Sequence, residues 1–576
     1  MRHKCTSRRA VPFGLILGAV LSLTLCLAPA GFAQESIDDL KKQVEELEKK
    51  LEKMEKDQEW NTEDIESLSE RVDKTELHTA TDKISFGVDF RTRGDSIHYN
   101  DIRMAPGSLV SQFFSSYPAG FNGGTKTQIQ QAMASMAAAG MIPAPNKYDA
   151  DNDVIFTNRF RLNIMGRLNQ HVDFRGRIAA YKVFGDSTGV KFNQGSLGDV
   201  TMDGNSTSLP HGDTLRLERA YFVYKNQAGD VPYSFSAGRR PSTDGPPLEY
   251  GNYSMVGGSP LATIINWQFD GASLSFGLEQ VTGIPGASFK LCYGVSYEND
   301  WGNGTSLNYN QADLEDVHMF GFISDLYDNG STSLMLNYAH AWDITDGFTG
   351  LTVMPFTVSK ADQLDGTGNP GSDGTDEYYF SQNSGGFISR MEPQTNIGDW
   401  DAASLLLRSQ IPTPEDRIDW FLAGSWTHTN PTQISKNPFY ELMNMGLLSS
   451  GNDMQERDGY SVYAGVICPM PFLDARFGLE YNWGSEYWFN FTGAEDSLVG
   501  SKLATRGQVY EAYYIQPIYG NNFFLKVGGQ FYDYEYTGSG NPLGEPVKIS
   551  EISALDAVNP VIDEVWNGYL SANLRF

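Results

Sequence analysis

The chain has 576 residues, with 71 acidic against 43 basic side chains and a formal charge of −28. That acidity excludes a nucleic-acid binder, whose affinity rests on neutralising phosphates with Lys and Arg. Beyond the first thirty-odd residues no apolar run is long enough to cross a bilayer as a helix, so membrane insertion would have to be by strands.

Residues 1–33 read as a signal peptide. Arg2, Lys4, Arg8 and Arg9 form a basic start, Phe13 to Leu27 an apolar stretch, and Gly31-Phe32-Ala33 a cleavage site before Gln34. Without this leader 39 basic residues face 71 acidic ones, a charge of −32. Cys5 and Cys26 leave with it. Cys292 and Cys468 remain, and no Cys-x-x-Cys-His occurs, so neither a haem attachment nor any other cofactor is expected.

Residues 34–80 carry heptads. Ile37, Val44, Leu51, Gln58, Ile65 and Val72 recur every seven residues, interleaved with Leu40, Leu47, Met54, Asn61, Leu68 and Thr75. Branched residues in one series and Leu in the other, flanked by Glu and Lys, predict a coiled coil that pairs copies of the chain into a homo-oligomer. As a periplasmic stalk it would reach about 60–70 Å at ~1.5 Å per residue.

From 81 onward alternation replaces the heptads, predicting an all-β transmembrane barrel over 81–576. The clearest strands are Ile84-Phe86-Val88-Phe90, Phe156 to Leu168, Val172 to Ala180, Phe523 to Phe531 and the final thirteen residues. Tight turns are predicted at Asn169-Gln170, Asp328-Asn329-Gly330, Pro469-Met470-Pro471 and Tyr519-Gly520-Asn521. Long loops are predicted near 94–153, 184–212, 240–262, 344–397, 430–457, 484–504 and 537–562, the first with a short helix at Thr127 to Ala139. Short and long connections alternate as in a barrel with tight periplasmic turns and large external loops. Both ends of such a barrel are periplasmic, so the strand number is even. Sixteen is the expectation and eighteen the alternative, with Thr263 to Gln280 as one strand bulged at Asp270-Gly271.

If the apolar faces meet lipid, the other faces line the lumen. They bring Arg91, Arg93, Arg159, Arg161, Arg167, Arg175 and Arg177 onto one wall, with Arg216, Arg219, Arg239 and Arg240 as possible extensions. Burying these dry would cost several kcal/mol per ion, which argues for a wet interior. The wall either attracts anions or is neutralised by carboxylates such as Asp474, Glu480 and Glu511. Gly238 to Pro247 reads as a loop folded in to narrow the lumen or as an ordinary external loop. Asp365 to Glu377 has the composition of a calcium loop, but Pro370 stands where Gly is needed, so no metal site is expected. The eight His are scattered and no Gly-x-Ser-x-Gly occurs, which leaves no catalytic arrangement.

The last strand alternates Trp566, Gly568, Leu570, Ala572, Leu574 and Phe576 against Val565, Asn567, Tyr569, Ser571, Asn573 and Arg575. Its apolar face and terminal Phe resemble the C-terminal signal that the assembly machinery reads in bacterial outer-membrane barrels. Ile84-Ser-Phe-Gly-Val-Asp-Phe-Arg91, Phe156-Thr-Asn-Arg-Phe-Arg-Leu-Asn163, Arg175-Gly-Arg-Ile-Ala-Ala-Tyr-Lys-Val-Phe-Gly185, Leu215-Arg-Leu-Glu-Arg-Ala-Tyr221 and Gly238-Arg-Arg-Pro-Ser-Thr-Asp-Gly-Pro-Pro247 resemble DUF3373, a family of porin-like outer-membrane proteins from anaerobic delta-type bacteria. The resemblance implies a barrel in the outer membrane and supplies no substrate or site residue. The function expected is a porin-type channel for small hydrophilic solutes. The alternatives are a barrel sheltering a partner such as a cytochrome, or an envelope tether.

Overall fold

The computed structural model describes residues 45–46, 48–50, 83–184, 215–254, 258–297, 314–347, 350–353, 356–361, 375–383, 388–391, 393–414, 416–470, 473–492 and 497–576. The chain divides into two units, Met1–Lys83 and Ile84–Phe576. In the first, the described residues are helical, with Lys49–Glu45 and Lys50–Glu46 pairs one turn apart at 3.4 and 3.7 Å. The leader and the heptad residues Ile37, Leu40, Val44, Leu47, Leu51, Met54, Ile65, Leu68 and Val72 lie outside the described residues.

The second unit is a closed up-and-down barrel of sixteen antiparallel strands. Its first quarter is β1 (Ile84–Met104), β2 (Asn146–Arg167), β3 (Val172–Val183) and β4 (Arg216–Ala228). Next come β5 (Val231–Arg239), β6 (Asp270–Gly277), β7 (Ser288–Tyr297) and β8 (Val317–Asp328). The chain continues through β9 (Thr332–Thr345), β10 (Asn396–Pro412), β11 (Arg417–Pro431) and β12 (Arg457–Met470). It ends with β13 (Ala475–Gly484), β14 (Gly507–Tyr519), β15 (Phe523–Tyr534) and β16 (Glu564–Arg575). β16 pairs with β1 to close the cylinder. At that seam Phe576 and Val88 exchange backbone hydrogen bonds of 3.0 and 2.6 Å.

The alternation in the sequence becomes two chemically opposite surfaces. In β16, Val565, Asn567, Tyr569, Ser571 and Asn573 are buried inside, while Trp566, Leu570, Leu574 and Phe576 are exposed outside. Phe86, Phe160, Phe174, Phe222, Leu422, Leu479 and Val527 repeat that exposure around the wall. Exposing large apolar side chains while burying Asn and Arg inverts the usual arrangement of a protein in water.

Three strands differ from the sequence reading. β1 and β2 run past the predicted ends as one long hairpin, with bulges between Asp95 and Ile97 and between Tyr99 and Ile102, so the first long loop shrinks to 105–145. It carries α1 (Gly107–Phe114) and α2 (Lys126–Ala138), the latter opened by a Thr125/Gln128 capping box. The strand expected from Thr263 to Gln280 begins only at Asp270, and its pairing shows no bulge against β5 or β7. Residues 261–268 turn into the barrel instead. Their backbone pairs with another loop, Asn266 N donating to Phe491 O and Phe491 N to Ile264 O, at 2.8 and 3.0 Å. Asn266 and Gln268 on a buried face were the signal against a lipid-facing strand.

The long-loop end is filled. Phe113, Phe121 and Ile129 from the first loop pack with Ile264, Ile265, Trp400, Phe439, Trp488 and Phe491 in one apolar core. Arg506 is buried there and donates to the carbonyls of Trp488, Thr537 and Asn541, so three neighbouring stretches share one guanidinium.

Candidate functional site

Strand register decides which cations meet. Arg91 on β1 stands opposite Arg159 on β2 and opposite Asn573 on β16; Asp89 stands opposite Arg161 and Arg575. Arg177 on β3 stands opposite Asn163 and Arg219. Like charges facing each other across a strand pair repel, so this wall needs counter-ions.

Three carboxylates supply them. Asp89 pairs with Arg159 at 2.9 Å and Arg575 at 3.3 Å. Glu218 pairs with Arg161 and Arg177, both at 2.9 Å, and is fully buried. Strict alternation would point Glu218 outward. A bulge opposite Arg177 and Ile178 turns it in beside Arg219.

The third carboxylate comes from a loop. Asp244 lies 3.3–3.5 Å from Arg161, Arg177 and Arg219. Burial alone would raise the Asp244 carboxyl, but these arginines outweigh it and hold it well below the ordinary value.

Asp244 belongs to a strap across the lumen whose described residues are 240–254 and 258–269. Its two limbs are zipped together: Gly258 N donates to Asp244 O at 2.6 Å and Ala262 N to Pro246 O at 2.9 Å. Glycine is required at this contact, because a Cβ on Gly245 would stand 1.8 Å from Pro260 O and one on Gly258 1.8 Å from Thr243 O. The strap's middle, α3 (Leu248–Gly251) and the residues after it, is fastened on several sides. Lys526 donates to Gly251 O at 2.9 Å, and Arg575 to Asn252 O and Tyr253 O at 2.9 and 2.8 Å. Glu249 pairs with Arg408, Tyr250 stacks on Phe421 with centroids 5.6 Å apart, and Thr263 bonds Ser404 at 2.8 Å. These partners come from β10, β11, β15 and β16.

Beside the strap lies a polar cavity. Arg91, Arg93, Arg159, Arg161, Lys526 and Arg575 supply its positive lining, together with Lys502. A second cavity reaches the short-turn end at Asn521, Asn522 and Phe576. Both are lined by Arg159, Arg161, Asp244, Asn252 and Arg575, so the two cavities adjoin across these side chains. A third shares Glu249, Tyr253 and Asn521 with the second.

The predicted residues divide accordingly. Arg91, Arg93, Arg159 and Arg161 line the first cavity and Arg177 the second. Arg93 is held by Asp95 at 2.6 Å and lies over the Tyr569 ring. Arg175 lines neither of these two cavities, and Arg167 is 70% exposed at the barrel rim beside Asp173. Arg239 pairs with Asp270 at 2.6 Å, and Arg240 faces an apolar pocket with Phe269, Cys292 and Met319, so neither extends the cationic wall. Glu480 and Glu511 bind Lys502 rather than that wall, and Asp474 sits in the turn before β13. Sequence reasoning missed Asp244, Lys502, Lys526 and Arg575. Arg575 was readable, since it shares the inward face of Asn573; the lysine on the 485–506 loop had no periodic signal.

Among the described residues no group of three or more His, Cys, Asp or Glu could hold a metal ion.

Solved barrels resemble this one distantly. They include Pseudomonas putida OprB at high pH (12% identity, 86% of this chain and 94% of that one, TM-score 0.37). Salmonella typhi OmpF in complex with daunomycin (10%, 86% and 99%, 0.37) and the anion-selective porin of Comamonas acidovorans (9%, 86% and 99%, 0.36) are others. No curated protein matches the chain. Over residues 149–576 it matches the family described as protein of unknown function DUF3373, and to that family the chain belongs.

Proposed function

We propose that the protein is an outer-membrane channel of porin type, passing small hydrophilic solutes by diffusion along an arginine-lined side of the lumen. The carrying observation is that two polar cavities inside the barrel share Arg159, Arg161, Asp244, Asn252 and Arg575 in their linings. The apolar outer face supports residence in lipid. That the strap and the loop core occupy the interior, among the described residues, favours small solutes over a threaded cytochrome.

The test is the reversal potential of the refolded full chain in a planar bilayer under a potassium chloride gradient. A steady conductance with anion preference is expected, because fixed positive charge excludes cations. Cation preference would keep the channel and remove the arginines from its selectivity. Silence from a demonstrably folded barrel would overturn the reading.

The heptads of 34–80 complete the proposal as a periplasmic stalk that joins copies of the chain. Cross-linking should trap oligomers of the full chain and only monomers after deletion of 34–80. Oligomers that persist would assign self-association to the barrel.

A further inference from the structure

Between the strap and strands β6 to β9 lies a cavity of opposite character, lined mostly by carbon. Pro260, Ile264 and Phe269 of the strap line it together with Met319, Ile323 and Ala339 of the wall. Those three wall residues are buried while Phe320 is exposed to lipid, so the cavity lies on the inner face. Strand register explains the room. Gly271 stands opposite Gly294, and Gly321 stands between Cys292 on β7 and Ala339 on β9. Small side chains on four neighbouring strands leave a space that the strap does not fill.

One cation borders this apolar space, the guanidinium of Arg240. Its Nη1 donates to Ala272 O at 3.0 Å, and its Nη2 lies 4.0 Å from Cys292 Sγ, a weak acceptor. Its Nε is buried without an acceptor. Among the described residues no carboxylate forms an ion pair with it, whereas Arg239 beside it is held by Asp270 at 2.6 Å. Lys290, two residues before Cys292 on β7, donates to Ser259 Oγ at 3.1 Å at the margin of the cavity. Asp325 acts on that charge, but its Oδ2 is already engaged by Ser288 at 2.6 Å. A guanidinium set against carbon bears the cost of desolvation without the attraction that would offset it.

We propose that this cavity binds a monocarboxylate with a compact apolar body, aromatic or branched. Its carboxylate sits on Arg240 and its body against Phe269, Met319 and Ile323. Nε and Nη2 share one edge of the guanidinium, and that edge can receive both oxygens of a carboxylate. The lining selects a single charge, because a second would be buried against carbon with no partner. An apolar cavity with one convergent polar group is the usual form of a small-molecule site. The inference goes beyond the channel reading and needs no conduction.

The experiment uses the folded full chain in a non-ionic detergent, with benzoate as the probe. Calorimetry should rank benzoate at least tenfold above benzyl alcohol, which has the body without the charge. It should rank it as far above acetate, which has the charge without the body. Arg240→Gln should weaken benzoate about tenfold or more and leave benzyl alcohol unchanged, one charge-assisted contact being lost. Arg167→Gln, at the barrel rim, should change neither. Cys292 supplies a second readout, since its thiol lines the same cavity. Benzoate should slow its alkylation by N-ethylmaleimide, mapped by mass spectrometry, and leave that of Cys468 as it was. Wild-type protein that binds benzoate no better than benzyl alcohol overturns the site, and so does binding that survives Arg240→Gln. If that variant fails to fold, the wild-type order and the protection of Cys292 decide, and the loss of either sinks the proposal.

Discussion

Gly245→Ala should spring the strap and raise single-channel conductance. The added methyl would stand 1.8 Å from the Pro260 carbonyl oxygen, a backbone atom that cannot swing aside as a side-chain tip could. Gly258 meets Thr243 O at the same distance from the other limb, so the two limbs cannot relax independently. Overpacking of this kind costs about 3 kcal/mol, which multiplies the undocked population about a hundredfold. The barrel strands do not depend on this contact, so the heat stability of the folded cylinder should change little. The measurements are single-channel conductance and protease cleavage within 240–260, both expected to rise. A variant with wild-type conductance and an uncut strap would mean that the limbs absorb the added methyl and stay docked.

How far the sequence carried this picture depends on what each feature obeys. Strand number and wall orientation were legible because lipid-facing and inward residues must alternate, and because parity forbids an odd count. The inward placement of Arg91, Arg159 and Arg161 followed from that alternation alone. Their counter-ions did not. Glu218 reaches the network through a bulge, which breaks the alternation that would have pointed it outward. Asp244 reaches it through a loop whose path depends on contacts with β10, β11, β15 and β16. The glycines and prolines of 238–247 marked a special loop, without choosing between inside and outside. Thr263 to Phe269 misled for a related reason. An apolar run broken by Asn266 and Gln268 resembles an inward-outward strand, yet here it pairs with residues 490–491 inside the barrel.

Asp244→Asn separates charge from shape, and its effect should exceed that of any rim substitution. Asn has almost the size of Asp and tolerates the left-handed backbone that Asp244 adopts, at φ +60°, so the limb geometry is kept. What is lost is the counter-ion of Arg161, Arg177 and Arg219, and removing one partner from a buried charge network costs about 3–5 kcal/mol. The strap should therefore undock in this variant too. Unlike Gly245→Ala, it should also shift the reversal potential further toward anions, since one fixed negative charge is removed from the lining. Acid gives the same result by another route, and the sign is fixed. The arginines hold the Asp244 carboxyl below its ordinary value, so its stabilising contribution is complete above about pH 4 and is lost as pH falls through the depressed value. Wild-type current should stay quiet from neutral pH down to about 4 and become noisy only below that. The Asp244→Asn current should be noisy at every pH. Asp89 and Glu218 pair with arginines of the same wall, so the part of the acid response that belongs to Asp244 is what disappears in the variant. Traces of wild type and Asp244→Asn that coincide at neutral pH would show that the loop is held by its backbone and aromatic contacts, and that its carboxylate is a passenger.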